Sequence, residues 1–128
     1  MKTVTAAILE KDGKILIAQR KADDHQAGKW EFPGGTQESD ETPQECLQRE
    51  MQEEFGIRVT VGQFVGENIY DYEHGAIKLL AYQTNWKSGK MVLKDHAEFR
   101  WVSPDQLAEF DFAPADIPFV KQLQRKER

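Results

Sequence analysis

Glu50, Glu53 and Glu54 stand at i, i+3 and i+4 in the run Arg49-Glu50-Met51-Gln52-Glu53-Glu54, a spacing that puts all three carboxylates on one face of a helix. Met51 and Phe55 then point elsewhere, into a core. Such a face is commonly a solvated acidic surface. Here it works against the helix that carries it. Glu50 and Glu54 repel across i, i+4 by about 0.2–0.5 kcal/mol. Glu53 and Glu54 also fall in the last turn, where the helix dipole disfavours anions by about 0.3–1 kcal/mol. Arg49, four residues before Glu53, is the only local relief. Three hard oxygen donors side by side suit Mg²⁺ or Mn²⁺, and a bound cation would reverse the repulsion. Spacing alone leaves both readings open, the solvated face and the metal site.

The helix itself is well punctuated. Thr42 is a good N-cap, Pro43 suits the first helical position, and Glu45 closes a capping box with Thr42. Gly56 sits where a left-handed C-terminal cap belongs, and Leu47, Met51 and Phe55 form an apolar stripe between the caps. Before it, residues 2–9 alternate and read as a strand covered on both faces. Lys11-Asp12-Gly13-Lys14 gives a hairpin turn, and Ile15–Ala18 returns as a second strand ending at Arg20. Polar residues 21–28 form a loop, and Trp30-Glu31-Phe32-Pro33-Gly34-Gly35 leads toward the helix. After it, residues 57–72 are extended, Glu73-His74-Gly75 is a turn, and Ile77–Thr84 and Phe99–Val102 are strands. A helix is expected from Ser103-Pro104 to about Glu109, and another over Ala115–Arg125. Strands interleaved with helices predict an α/β fold, a sheet packed between helices.

At 128 residues the chain fits a single domain, 1–128, and 39% hydrophobic residues suffice for a real core. No apolar run reaches the ~18–20 residues of a membrane span, and the N-terminal apolar stretch meets charge again at Glu10 and Lys11, so no membrane partner or export signal is expected. The lone Cys46 cannot form an internal disulfide, which predicts a reduced cytoplasmic setting with Cys46 as a small buried hydrophobe. Net charge is −5, and the only basic cluster is the tail Lys121, Arg125, Lys126 and Arg128. Polymeric nucleic acid selects a basic stripe and is therefore not expected as a partner. An acidic protein still binds a small phosphorylated ligand when cations neutralise both.

The wider spacing is more specific than the ridge. Gly35, five residues, Glu41, seven residues and then Arg49-Glu50-Met51-Gln52-Glu53-Glu54-Phe55-Gly56-Ile57 resembles the complete signature of the Nudix hydrolases. Lys29-Trp30-Glu31-Phe32-Pro33-Gly34-Gly35, Asp95-His96 with Trp101-Val102-Ser103-Pro104, and Pro114-Ala115-Asp116-Ile117-Pro118 resemble the MutT-type branch, so nearly the whole chain is covered. The resemblance implies an α/β/α sandwich with a mixed central β-sheet, and a Mg²⁺- or Mn²⁺-dependent enzyme of nucleotide-pool sanitation. It would cut nucleoside triphosphates to monophosphate and pyrophosphate, as a monomer or homodimer. Glu50, Glu53, Glu54 and the Gly34 carbonyl would bind the cations. Glu53 would orient or deprotonate the attacking water, Arg49 would hold the ridge and Glu41 would anchor the loop.

The resemblance has two departures. Thr36 stands where the family usually has a phosphate-reaching Lys, and Asp95 stands where it has Glu, with Glu98 as a rival for that extra metal or base position. Arg20 is implied at the phosphates and His25 near the ribose or phosphate, although an Arg at a strand end or a His in a loop is often only surface. Phe32 and Tyr72 could wall the base over a floor of Val4, Ala6 and Ile8, although any one of them taken singly reads as a core residue before a ligand contact. Trp86 and Trp101 read as packing residues. Asp116 either caps the last helix or reads the base: ionised, it accepts only, which suits an amino group such as cytosine N4. Its Ala-Asp-Ile-Pro setting resembles the branch acting on CTP and modified deoxycytidine triphosphates. The alternatives are an ADP-ribose or dinucleoside polyphosphate hydrolase, or a nucleotide-sensing module that no longer cuts.

Overall fold

A computed structural model describes residues 1–22 and 25–126, the side chain of Lys126 excepted. Part of the expected 21–28 loop, and the Lys126 side chain and Arg128 of the basic tail, lie outside what is described. The chain runs β1 (Lys2–Lys11), β2 (Lys14–Arg20), β3 (Trp30–Glu31), β4 (Gly34–Thr36), α1 (Pro43–Phe55), β5 (Ile57–Tyr72), β6 (Gly75–Gly89), β7 (His96–Val102) and α2 (Ile117–Lys126). Short 3₁₀ segments cover Pro104–Glu109 and Pro114–Asp116. The strands order as β3-β2-β1-β6-β5, with β4 also on β1 and β7 also on β2. Among the described strands β1 and β6 pair in parallel and the other pairs are antiparallel, so the sheet is mixed.

Strand β1 is buried on both faces because its two side-chain rows enter two different cores. Ala7 and Leu9 join Leu47, Met51 and Phe55 of α1, while Ala6 and Ile8 join Phe112, Phe119 and Val120 beneath α2. The result is the expected α/β/α sandwich. The β1–β2 hairpin turns on Asp12 (φ 54°) and Gly13 (φ 77°), the pair of positive φ values a two-residue hairpin loop requires.

Helix α1 has the boundaries its caps predict. Thr42 Oγ1 accepts from Glu45 N–H (3.1 Å), Glu45 Oε1 accepts from Thr42 N–H (2.8 Å), and Gly56 closes the helix at φ 71°. No basic residue relieves the last turn. Elsewhere local reasoning falls short. Trp30–Glu31 and Gly34–Thr36 are strands, too short to show a period. The segment over Pro104–Glu109 is 3₁₀ rather than α, and the last α-helix starts at Ile117, not Ala115. Strands β6 and β7 extend beyond the expected Ile77–Thr84 and Phe99–Val102 because partners β5 and β2 continue beside them. Trp86 and Trp101 stack at 6.1 Å over the α1-side core, as packing residues.

Candidate active site

The paired glycines bring strand and helix into unusually close approach. A Cβ on Gly34 would strike the Thr5 carbonyl of β1, and a Cβ on Gly35 would strike the Glu50 carboxylate of α1. Thr5 Oγ1 (3.2 Å) and Cys46 Sγ (3.5 Å) both donate to the Gly35 carbonyl. Cys46 is thus buried as expected and also pins this loop; burial pushes its thiol up to about 11.

Arg49 organises the ridge. Its Nη2 and Nε donate to the two oxygens of Glu41 at 2.7 and 3.0 Å, its Nη1 lies 3.4 Å from Glu50 and 3.2 Å from Glu53, and its Nη2 also donates to the Thr36 carbonyl. The fork on Glu41 holds that carboxyl down at about 2 and raises the Arg49 guanidinium.

The three ridge carboxylates are not equivalent. Glu53 is turned along Arg49 and is 59% exposed, while Glu50 and Glu54 are 13% and 17% exposed. Burial raises Glu50; burial, then repulsion from Glu50, Glu31 and Asp95, raises Glu54 to about 8. Among the described residues, no three His, Cys, Asp or Glu side chains already converge at metal spacing. Yet Glu50 Oε2 and Glu54 Oε2 are buried without a hydrogen-bond partner. Two solvent-excluded acceptors with nothing to accept from cost several kcal/mol between them, and a divalent cation is the oxygen-seeking group that answers both. The residues present fit such an ion.

These groups line a cavity of about 470 Å³, whose walls also include Arg20, His25, Phe32, Gly34, Tyr72, Asp95 and Asp116. The structure gathers the expected metal, catalytic and substrate side chains in this wall except Glu53, which is not among the lining residues and lies beside Arg49. Asp95 lines the cavity, whereas Glu98 pairs with Arg100 at 2.8 Å and is not among the lining residues. Of the expected apolar floor only Val4 lines the cavity; Ala6 and Ile8 are core residues.

Asp116 does not cap a helix. Its Oδ2 accepts from the Phe32 N–H at 3.0 Å, across the cavity wall, and its burial raises the carboxyl well above the usual range. Next to it, Ala115 N–H donates to the Tyr72 hydroxyl at 2.9 Å.

Sequence reasoning missed Glu31 and His96. Arg20 Nη1 donates to Glu31 Oε1 (2.8 Å), and Glu31 Oε2 lies 2.9 Å from His96 Nε2. His96 Nδ1 stands 4.0 Å from Glu54 Oε2, and its ring stacks on Phe55 at 5.3 Å. This chain of groups joins Arg20 to the ridge through three strands. Its members carry no shared local spacing; Glu31 could be suspected only as a charge between Trp30 and Phe32.

A model of the NUDIX domain matches residues 1–123. The chain is 42% identical over 118 residues to a CTP pyrophosphohydrolase of Escherichia coli (strain K12), covering 92% of this chain and 87% of that protein. It is 34% identical over 118 residues to an 8-oxo-dGTP diphosphatase of the same organism, covering 92% of each. The crystal structure of a MutT protein from Methanosarcina mazei Go1 superposes with a TM-score of 0.87 at 24% identity, over 99% of this chain and 95% of that one.

Proposed function

The chain belongs to the NUDIX family, and from that premise we propose how this nucleotide pyrophosphohydrolase acts on cytidine or oxidised nucleotides, cleansing the nucleotide pool. Residues 1–128 work as one domain, in the reduced cytoplasm where the lone Cys46 stays a thiol.

Members of this family generally use divalent metal ions. Here Glu50, Glu53, Glu54, the Gly34 carbonyl and Asp95 would hold Mg²⁺ or Mn²⁺, which when bound neutralises phosphate charge and acidifies water. The observation that carries this reading is the pair of buried, partnerless carboxylate oxygens on Glu50 and Glu54 at the cavity wall. Arg49 keeps the ridge in register through Glu41. Glu53, the most exposed of the three, orients the attacking water and takes its proton. Arg20, aimed by Glu31, meets the phosphates, with His25 beside it. Attack at the bond between the α and β phosphates gives monophosphate and pyrophosphate, with no covalent enzyme intermediate.

At the other end, Phe32 and Tyr72 wall the base and Asp116 reads it. A carboxyl acceptor takes a hydrogen bond from the N4 amino group of cytosine, and equally from the N1–H and N2 amino group of an oxidised guanine. That shared edge chemistry supports both substrate classes carried by the relatives' names. A panel of normal and damaged triphosphates, assayed by phosphate release with inorganic pyrophosphatase present, tests this. Turnover of CTP, modified dCTP or 8-oxo-dGTP should exceed that of the other nucleotides and vanish in chelator. Equal rates with ADP-ribose, or no turnover of any triphosphate, would refute it.

A further inference from the structure

We propose that His74, in the turn between β5 and β6, is a positioning residue that fixes Arg20 through the ring of His25. The inference rests on the reading of Arg20 as a phosphate-binding group.

Arg20 ends β2, and its guanidinium is held from two sides. Glu31 takes Nη1, and the backbone carbonyl of His25 accepts from Nε at 2.6 Å. A loop carbonyl holds its guest only as firmly as the loop is held. The backbone hydrogen bonds near it, Gly28 N–H to the Arg20 carbonyl and Lys29 N–H to the Gln26 carbonyl, stay within the β2–β3 connection. The His25 ring, in contrast, reaches out of that connection. It stacks on the His74 ring with centroids 4.2 Å apart and planes inclined by 18°. His74 is backed in turn by Tyr72, at 5.5 Å and 9°. Tyr72 is anchored, because its hydroxyl accepts the Ala115 N–H.

Three nearly parallel rings therefore run from a fixed point beside Asp116 to the loop that aims Arg20. All of them line the cavity. His25 and His74 are both exposed, so burial in a core does not explain their alignment; ring stacking between the two elements does. Arg20 and His25 make further contacts besides these, so loss of the stack should loosen Arg20 rather than release it. The effect belongs in substrate binding and not in the chemical step at the ridge.

The test uses steady-state kinetics on a triphosphate for His74→Ala, His74→Phe, Arg20→Ala and the Arg20→Ala/His74→Ala double variant, each checked for unchanged melting. His74→Ala should raise KM by about 3- to 10-fold with kcat within about twofold. His74→Phe, which keeps a ring but not the imidazole nitrogens, should restore KM. In the Arg20→Ala background, His74→Ala should add less than about twofold. An unchanged KM in His74→Ala, or the same rise in both backgrounds, would overturn the proposal while leaving Arg20 in place. An unchanged KM in Arg20→Ala would overturn the reading of Arg20 and the proposal with it.

Discussion

Alanine at Gly34 and alanine at Gly35 should fail in opposite ways, although the residues are adjacent. A Cβ on Gly34 would meet main chain, with the Thr5 carbonyl carbon 2.7 Å away and its oxygen nearer still. Neither β1 nor β4 can yield without losing the register Thr5↔Gly35 and Ala6↔Gly34. That is overpacking against backbone, worth about 2–3 kcal/mol, or a fall in Tm of about 10 °C for a domain of this size. A Cβ on Gly35 would meet only the end of a side chain, with Glu50 Oε1 at 2.5 Å. The carboxylate can rotate away, so stability should change by less than about 1 kcal/mol. In doing so it leaves the wall where the cation belongs, and both kcat and Mg²⁺ affinity should drop by about 10- to 100-fold or more. Thermal melting, a Mg²⁺ titration of activity and the pyrophosphatase-coupled assay read the three quantities. A Gly35→Ala protein with wild-type turnover and Mg²⁺ dependence would refute the placement of Glu50. A Gly35→Ala protein melting as low as Gly34→Ala would refute the distinction between flexible and rigid neighbours.

Other consequences follow from the same contacts. Glu54 has its carboxyl raised to about 8 in the fold, so the metal-free native state binds more protons than the unfolded chain between about pH 4.5 and 8, and stability should fall as pH rises through that window. Mg²⁺ binds the ionised form, so its gain in Tm should be larger at pH 8 than at pH 6; melts with and without Mg²⁺ that keep a constant difference would contradict this. Glu53→Gln should cut kcat by about 100-fold or more with Tm preserved, since Glu53 is the exposed member of the ridge, and a fully active variant would remove it from the reaction. Asp116→Asn retains the shape and an acceptor for the Phe32 N–H and should stay within about tenfold of the wild type on its preferred base. Asp116→Leu should lose about 10- to 100-fold of that preference, and equal base selectivity in all three proteins would show that Asp116 does not read the base.

How legible the molecule is in its sequence depends on the range of the interactions. Helix α1 and its ridge are specified by neighbours within four residues, Thr42 with Glu45, Arg49 with Glu53, Gly56 with Gln52, and spacing finds them. Strands β3 and β4 exist only because β2 and β1 offer edges to pair with, so a local reading sees just an approach to the helix. Glu31 and His96 touch across 65 positions, and no spacing rule reaches that far. Asp116 is identifiable by its motif, but its contact with the Phe32 N–H is not, because the two stand 84 positions apart. His74 reads only as a turn residue until the fold sets it against His25.

The central claim is that the carboxylate ridge and the cavity together hydrolyse the inner anhydride of a nucleoside triphosphate. Running the reaction on CTP and on 8-oxo-dGTP with Mg²⁺ in ¹⁸O-labelled water, and identifying the products by ³¹P NMR and mass spectrometry, tests it most directly. The predicted result is one monophosphate and one pyrophosphate per turnover, with a single ¹⁸O in one of the two and no reaction in chelator. Release of orthophosphate with a nucleoside diphosphate, or hydrolysis undiminished in chelator, would contradict it.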